Sequence, residues 1–315
     1  MSTHKALAIH TLGEPPKFIE RPTPAPKGDE ILLKVSIATG YKARDHVFAF
    51  GSPFSPDGTG TQEYCIVPAW QSAPLPKRIR ADEAATFPLN AMTMVFALFH
   101  ETGLNLRSPF GSDREYRGYD GDSILIIGGG SATGQFGVQL ARLAKFRNII
   151  VVASKSRESQ LRDLGATTVI DRALGEFEIE RQIREVVGDD LVFAIDCVGR
   201  GPDGQTLGAS ALSNHKKGAL VALVHLGGVD DSRIGPKTAG YVRKAGLCHT
   251  TKYPDITKAF WAVLAGLIEN STLKPTGFKV VEGLDVERVD AFLDNYTGGV
   301  GQVKPHIHIG STFEA

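Results

Sequence analysis

Residues 123–157 read Ser-Ile-Leu-Ile-Ile-Gly-Gly-Gly-Ser-Ala-Thr-Gly-Gln-Phe-Gly-Val-Gln-Leu-Ala-Arg-Leu-Ala-Lys-Phe-Arg-Asn-Ile-Ile-Val-Val-Ala-Ser-Lys-Ser-Arg. The apolar run 124–127 has the length of a buried strand, and glycines follow it at once. Phe136, Val138, Leu140, Ala141, Leu143 and Ala144 suit a helix packed on a sheet. A second β-branched run, 149–152, comes next. The segment is therefore a strand, a glycine-rich turn, a helix and a second strand. Glycines let the backbone approach a pyrophosphate, and the unpaired N–H groups of the first helical turn bind its oxygens. The turn alone would also suit a structural bend in another α/β fold. The strand before it and the helix and strand after it select a dinucleotide site.

The surrounding 315 residues are enough for two domains. Lys+Arg and Asp+Glu both number 35, so nothing indicates a general attraction to nucleic acid or to an anionic membrane. No apolar run approaches the roughly 20 residues that span a bilayer. The polar start Met-Ser-Thr-His-Lys lacks a signal-peptide core. Cys65, Cys197 and Cys248 are far apart and form no CxxC pair, so a reducing, cytoplasmic setting is expected.

Upstream, 6–9, 30–38, 45–50 and 62–67 are expected to be strands, with Pro22, Pro24 and Pro26 marking an extended connection. Short strands without helices between them predict a small β-domain. Asp82–Ala85 reads as a helical turn, 90–101 as a buried helix and 107–122 as an exposed loop. Downstream, strands are expected at 168–170, 191–196 and 218–224. They alternate with helices at 157–164 (closed by Gly165), 178–187 (closed by Gly188) and 205–212. That alternation predicts a parallel, doubly wound sheet. A helix at 256–270, a strand at 276–281, a helix at 286–296 and a strand at 304–309 complete the chain.

The end of the second strand distinguishes the two nicotinamide cofactors. An acid there accepts bonds from the ribose hydroxyls of NAD, and a cation accommodates a 2′-phosphate. Residues 153–157 (Ala-Ser-Lys-Ser-Arg) contain no acid. Ser154, Lys155 and Arg157 supply hydroxyl and cationic groups, which predicts NADPH/NADP. Alternatively, Lys155 and Arg157 are solvated residues at a helix start. A cation is mildly unfavourable there, which argues for a ligand.

The segments Gly121–Gly134, Leu161–Asp171, Asp82–Thr93 and Gly58–Val67 together resemble the medium-chain dehydrogenase/reductase superfamily, in its zinc-independent quinone-oxidoreductase and enoyl-reductase branch. The long 107–122 loop resembles fungal members of secondary-metabolite pathways. The resemblance implies an α/β architecture: a Rossmann domain at 91–271 and a smaller GroES-like β-domain at 1–90 with 272–315. It places Gly128, Gly130, Ser131, Ala132, Thr133 and Gly134 at the pyrophosphate, and Arg172 beside the adenosine phosphate. Val198 and Leu226 fall toward the nicotinamide, Thr93 near it, and Lys304 close to the cofactor. It also implies a small-molecule substrate and, commonly, a homodimer.

Two departures stand out. The cysteine and Gly-His-Glu ligands of zinc-dependent relatives are missing, and a catalytic zinc needs three converging protein ligands, so no metal is expected. His306 and His308 share one face of a strand and read as a surface feature. The second departure is a gap. Residues 38–44 run directly into Asp45, where relatives carry a few tens of residues that build part of the β-domain and hold the tyrosine of some reductases. Tyr41 is the nearby phenol. The expected activity is reduction of an enone, enoyl or carbonyl group, with Tyr41 and Thr93 as candidate catalytic residues. The alternative is a catalytically impaired NADPH-binding protein whose β-domain is incomplete.

Overall fold

A computed structural model describes residues 2–8, 17–28, 30–34, 46–52, 55–110, 116–199, 201–223, 227–283, 285–297 and 304–308. The chain divides into two units, Met1–Pro88 with Trp261–Asn270 and Pro275–Ala315, and Leu89–Phe260 with Ser271–Lys274. The first unit begins with β1 (Thr3–Ala8), β2 (Lys17–Pro22), β3 (Glu30–Lys34), β4 (Val47–Ala49), β5 (Tyr64–Pro68) and β6 (Ser72–Pro74). They form three antiparallel pairs, β1–β2, β3–β5 and β4–β6. Leu33, Val47, Cys65 and Val67 make a small core there. The strand β2 escapes a pattern reading because its residues Lys-Phe-Ile-Glu-Arg-Pro are charged and mostly exposed. Residues 38–45, where the gap falls, lie outside the described residues.

A short helix α1 (Ala81–Ala84) precedes α2 (Phe87–Phe99). The latter starts three residues before the apolar pattern suggests, because Pro88 is tolerated in a first helical turn. Met92, Met94, Val95, Phe96, Ala97 and Leu98 are all fully buried, so the helix is enclosed on most faces.

The second unit then alternates β7 (Ser123–Ile127), α3 (Ala132–Leu143), β8 (Asn148–Ala153), α4 (Glu158–Leu164), β9 (Thr168–Asp171), α5 (Glu176–Val187), β10 (Phe193–Asp196), α6 (Thr206–Ala211) and β11 (Gly218–Ala222). β12 (Tyr241–Ala245) and α7 (Pro254–Glu269) follow. Six strands form one parallel sheet in the order β12-β11-β10-β7-β8-β9. The central runs do not alternate because both faces are covered. Leu125, Ile127, Ile150 and Val152 pack with Ile179, Ile183 and Leu207 of α5 and α6. Ile126 lies on the other face, beside Gly137 of α3. β12 was not legible in the sequence, because it is an edge strand in which none of the five residues is fully buried. The order reverses between β7 and β10, and a crevice at the carboxyl ends of such strands is where ligands bind.

The first unit resumes with β13 (Phe278–Glu282), α8 (Val286–Thr297) and β14 (Lys304–His308), the strands pairing in parallel. His306 and His308 do share a face, but that face is covered, which corrects the surface reading. His308 places Nε2 2.8 Å from Asp82 Oδ1 and Nδ1 3.1 Å from Glu282 Oε1. The His306 ring stacks on Phe278 at 4.9 Å and 5°, with neither ring nitrogen hydrogen-bonded among the described residues. Burial, and then the charge of Lys304, push its pKa from 6.5 down to about 4. A base depressed in the folded state binds fewer protons than in the unfolded chain between those two values, so stability falls as pH drops from 6.5 to about 4. The thermal midpoint is expected to decline over that interval, and less steeply in His306→Gln. An identical slope in the variant would exclude His306 as the source.

Candidate dinucleotide site

The turn after β7 is built by close approach. The amides of Gly128 and Gly129 donate to the Val152 carbonyl of the neighbouring strand at 2.9 and 3.2 Å. Gly128 has φ +78°, a conformation that disfavours a side chain. A Cβ at Gly134 would sit 2.4 Å from the Gly128 carbonyl oxygen and 2.6 Å from Gly129 Cα, and one at Gly129 would sit 2.2 Å from Val151 Cγ1. Gly130 is different: its Cβ would meet only Ala153 and the Arg157 stem, at 3.7 and 3.8 Å. Gly129, not singled out in the sequence, is thus more constrained than Gly130, which was. Only the contact with β8 reveals this.

Ser131 caps α3 by accepting a bond from the Gly134 amide at 3.0 Å. Ala132 and Thr133 open the helix, where amides lack a preceding helical carbonyl and present an anion site. The Thr133 hydroxyl donates to Asn90 Oδ1 at 3.0 Å, which ties the turn to the start of α2. Asn90 carries no motif and was not foreseen.

Beyond β8, Ser154 leads into a tight turn, Lys155–Arg157. The hydroxyls of Ser154 and Ser156 lie 3.0 Å apart. Arg157 donates to Gln160 Oε1 at 3.0 Å, Gln160 to Gln135 Oε1 at 3.1 Å, and Gln135 to the Gly130 carbonyl at 3.1 Å. A polar chain therefore joins the basic end of β8 to the glycine turn. Arg172 follows β9, its amide bonded to the Ala153 carbonyl at 2.8 Å and its side chain exposed. The acid-free reading of 153–157 stops one residue short. Glu158 opens α4, and its Oε2 lies 2.6 Å from Lys155 Nζ. A helical i,i+3 spacing brings that acid back over the preceding turn.

After β10, the buried Asp196 carboxylate accepts the amides of Val198 and Gly199 at 2.8 and 2.6 Å. Burial raises its pKa, and the two amide bonds offset part of the rise. This clamp sets Val198 against Gly128: a Cβ on the glycine would fall 2.6 Å from Val198 Cγ1. Val198 as a whole remains 47% exposed. Thr93 is half-buried and donates its hydroxyl hydrogen to the Leu89 carbonyl at 2.8 Å. Its proton is thus engaged within its own helix, and the side chain is better placed to accept than to donate. Lys304 belongs to the other unit, where burial lowers its pKa. Tyr41 and Leu226 lie outside the described residues.

These features define an α/β fold with a candidate dinucleotide site. Residues 132–244 match the family described as zinc-binding dehydrogenase. The chain is 30% identical over 159 residues to the mitochondrial NAD(P)H oxidoreductase RTN4IP1 of Danio rerio, covering 50% of this chain and 37% of that protein. It is 27% identical over 217 residues to the trans-enoyl reductase tndF of Aspergillus flavipes, covering 55% and 61%. The chain spans about half the length of the curated relatives it matches. A mycobacterial protein solved with NADPH superposes with a TM-score of 0.66 at 19% identity, covering 92% of this chain and 96% of that one. At that identity the likeness is one of fold. The chain is thus similar, over part of its length, to zinc-binding dehydrogenases and to enoyl reductases. Among the described residues no three His, Cys, Asp or Glu side chains are gathered for a metal. Burial holds the thiols of Cys65 and Cys248 up at about 12 and raises that of Cys197 as well. No helix among the described residues is long and apolar enough to cross a membrane.

The steric account separates two glycines of one motif. Gly134→Ala is expected to lower the thermal midpoint and to weaken dinucleotide binding by more than tenfold, because backbone must move. Gly130→Ala is expected to leave the midpoint nearly unchanged. Equal effects in thermal unfolding and in cofactor titration would refute that account.

Proposed function

We propose that the chain is an NADPH-dependent, zinc-independent oxidoreductase. It reduces an enone, enoyl or carbonyl group of a small molecule, polyketide-type substrates included. The observation that carries the reading is the glycine cradle joined to a basic strand end, residues 128–134 and 154–157. The name of the Aspergillus flavipes relative supports the enoyl reduction, and the NADPH-bound mycobacterial structure supports the cofactor.

The cofactor supplies the hydride, and the protein supplies position and electrostatics. In this reading the first turn of α3 meets the pyrophosphate, Ser154, Lys155 and Arg157 meet the 2′-phosphate, and Arg172 adds charge beside the adenosine. Val198 would pack near the nicotinamide, with Leu226 following the next strand and Lys304 close by. A carbonyl oxygen gaining charge needs a donor. Thr93 would have to release Leu89 to serve, and Tyr41 is the other candidate. A cytoplasmic setting and a homodimer belong to the same proposal; the Danio rerio relative is named as mitochondrial.

The second reading, NADPH binding without turnover, is motivated by the sequence gap between residues 38 and 45. Incubation with NADPH and a panel of quinones and conjugated enones, followed by loss of cofactor absorbance, separates the two. Oxidation above the cofactor-only rate is expected; binding without oxidation across the panel favours the second reading. Replacing both Lys155 and Arg157 by alanine should weaken NADPH binding roughly tenfold or more, since charged hydrogen bonds contribute about 1.5–3 kcal/mol. NADH binding should be unaffected. Unchanged NADPH affinity would overturn the 2′-phosphate assignment.

A further inference from the structure

We propose that Glu158 sets the affinity for the 2′-phosphate, by holding the Lys155 ammonium until the phosphate displaces it. The inference rests on the reading that Lys155 meets that phosphate. Without ligand, the two cations at the end of β8 are treated differently. Arg157 bonds to a neutral amide, Gln160. Lys155 bonds to a carboxylate, with Nζ 2.6 Å from Glu158 Oε2. The lysine side chain is 62% exposed, so an incoming anion can reach it.

The geometry lets the exchange proceed without stranding a charge. Glu158 uses its other oxygen, Oε1, to accept from Nε and Nη2 of Arg162 at 3.1 and 2.9 Å. When Lys155 turns away, the carboxylate therefore keeps two bonds to a guanidinium one helical turn on. Lys155 and then Arg162 hold the Glu158 carboxyl below its ordinary pKa, so it is an anion wherever a dinucleotide would be studied. A phosphomonoester carries about −1.5 to −2 charge near neutral pH against −1 for the carboxylate, so it is the stronger partner for one exposed ammonium. The same charge makes Glu158 repel the phosphate once displaced. Both effects act on NADPH and neither on NADH. Glu158 thus restrains a preference that Lys155 and Arg157 create.

An acid in a first helical turn also favours the helix itself. A purely structural role would change both cofactors alike, which makes selectivity the readout. Dissociation constants for NADPH and NADH are measured by fluorescence titration of the full chain. Glu158→Gln keeps the side-chain length and removes the charge. It is expected to tighten NADPH binding severalfold, up to about tenfold, with NADH unchanged. Glu158→Ala, the second variant, is expected to shift the ratio in the same direction. In a Lys155→Ala background, Glu158→Gln should bring a smaller gain, because no ammonium remains to be freed. An unchanged ratio, or an equal change for both cofactors, overturns the role of Glu158. If Lys155→Ala alone leaves NADPH binding intact, the 2′-phosphate reading fails, and this inference fails with it. If Lys155→Ala weakens NADPH while Glu158→Gln leaves the ratio unmoved, only the inference fails.

Discussion

Helix α3 begins so close to the end of β7 that residue 134 has no room for a side chain. Its Cα faces the Gly128 carbonyl and the Gly129 backbone at distances that a methyl group would violate. That approach aims the opening amides of α3 over the carboxyl end of the sheet. It also sets where the chain can pass at 128–130, and hence where Val198 and Arg157 can pack. Backbone against backbone leaves little slack, because neither side can move to another rotamer.

The sheet makes the approach affordable in physical terms. Strands β7 and β8 are buried on both faces, and helices α3, α5 and α6 lie against them. The strand order reverses between β7 and β10, and in such sheets ligands bind at the carboxyl ends of the strands flanking that point. Asp196 stiffens one side of it with two amide bonds, and the Ser131 cap stiffens the other. A carboxylate this deeply buried is costly unless hydrogen-bonded. Its cost is met by fixing residues 198 and 199, which suits a loop that must hold one position against a ligand.

Charge gathers at the end of β8. Two cations there would favour a phosphate, yet one is held by Glu158 and the other is wired through Gln160 and Gln135 to the glycine turn. The basic end of β8 and the glycine turn are therefore one hydrogen-bonded unit. In the other unit, Asp82 of α1 pairs with His308 of β14, while the His308–Glu282 pair and the Phe278–His306 stack hold β13 to β14, a tie separate from the apolar cluster around Leu33 and Val47.

The doubly wound sheet, its glycine turn and most of its helices were legible in the residue pattern. Those follow from local rules: four-residue apolar runs, helical spacing and glycines at the ends. The sequence did not disclose β2 or β12, whose exposed edge positions relax the apolar pattern, nor the burial of His306. The ranking of the glycines was also hidden, since Gly129 is constrained by Val151, a residue 22 positions away in sequence (151 − 129). Glu158 was in plain view but outside the five-residue window, and only the helical turn returned it to Lys155. Tertiary structure alone decided which partner each polar group meets, because hydrogen bonds and close contacts depend on three-dimensional distance while sequence patterns record only spacing along the chain.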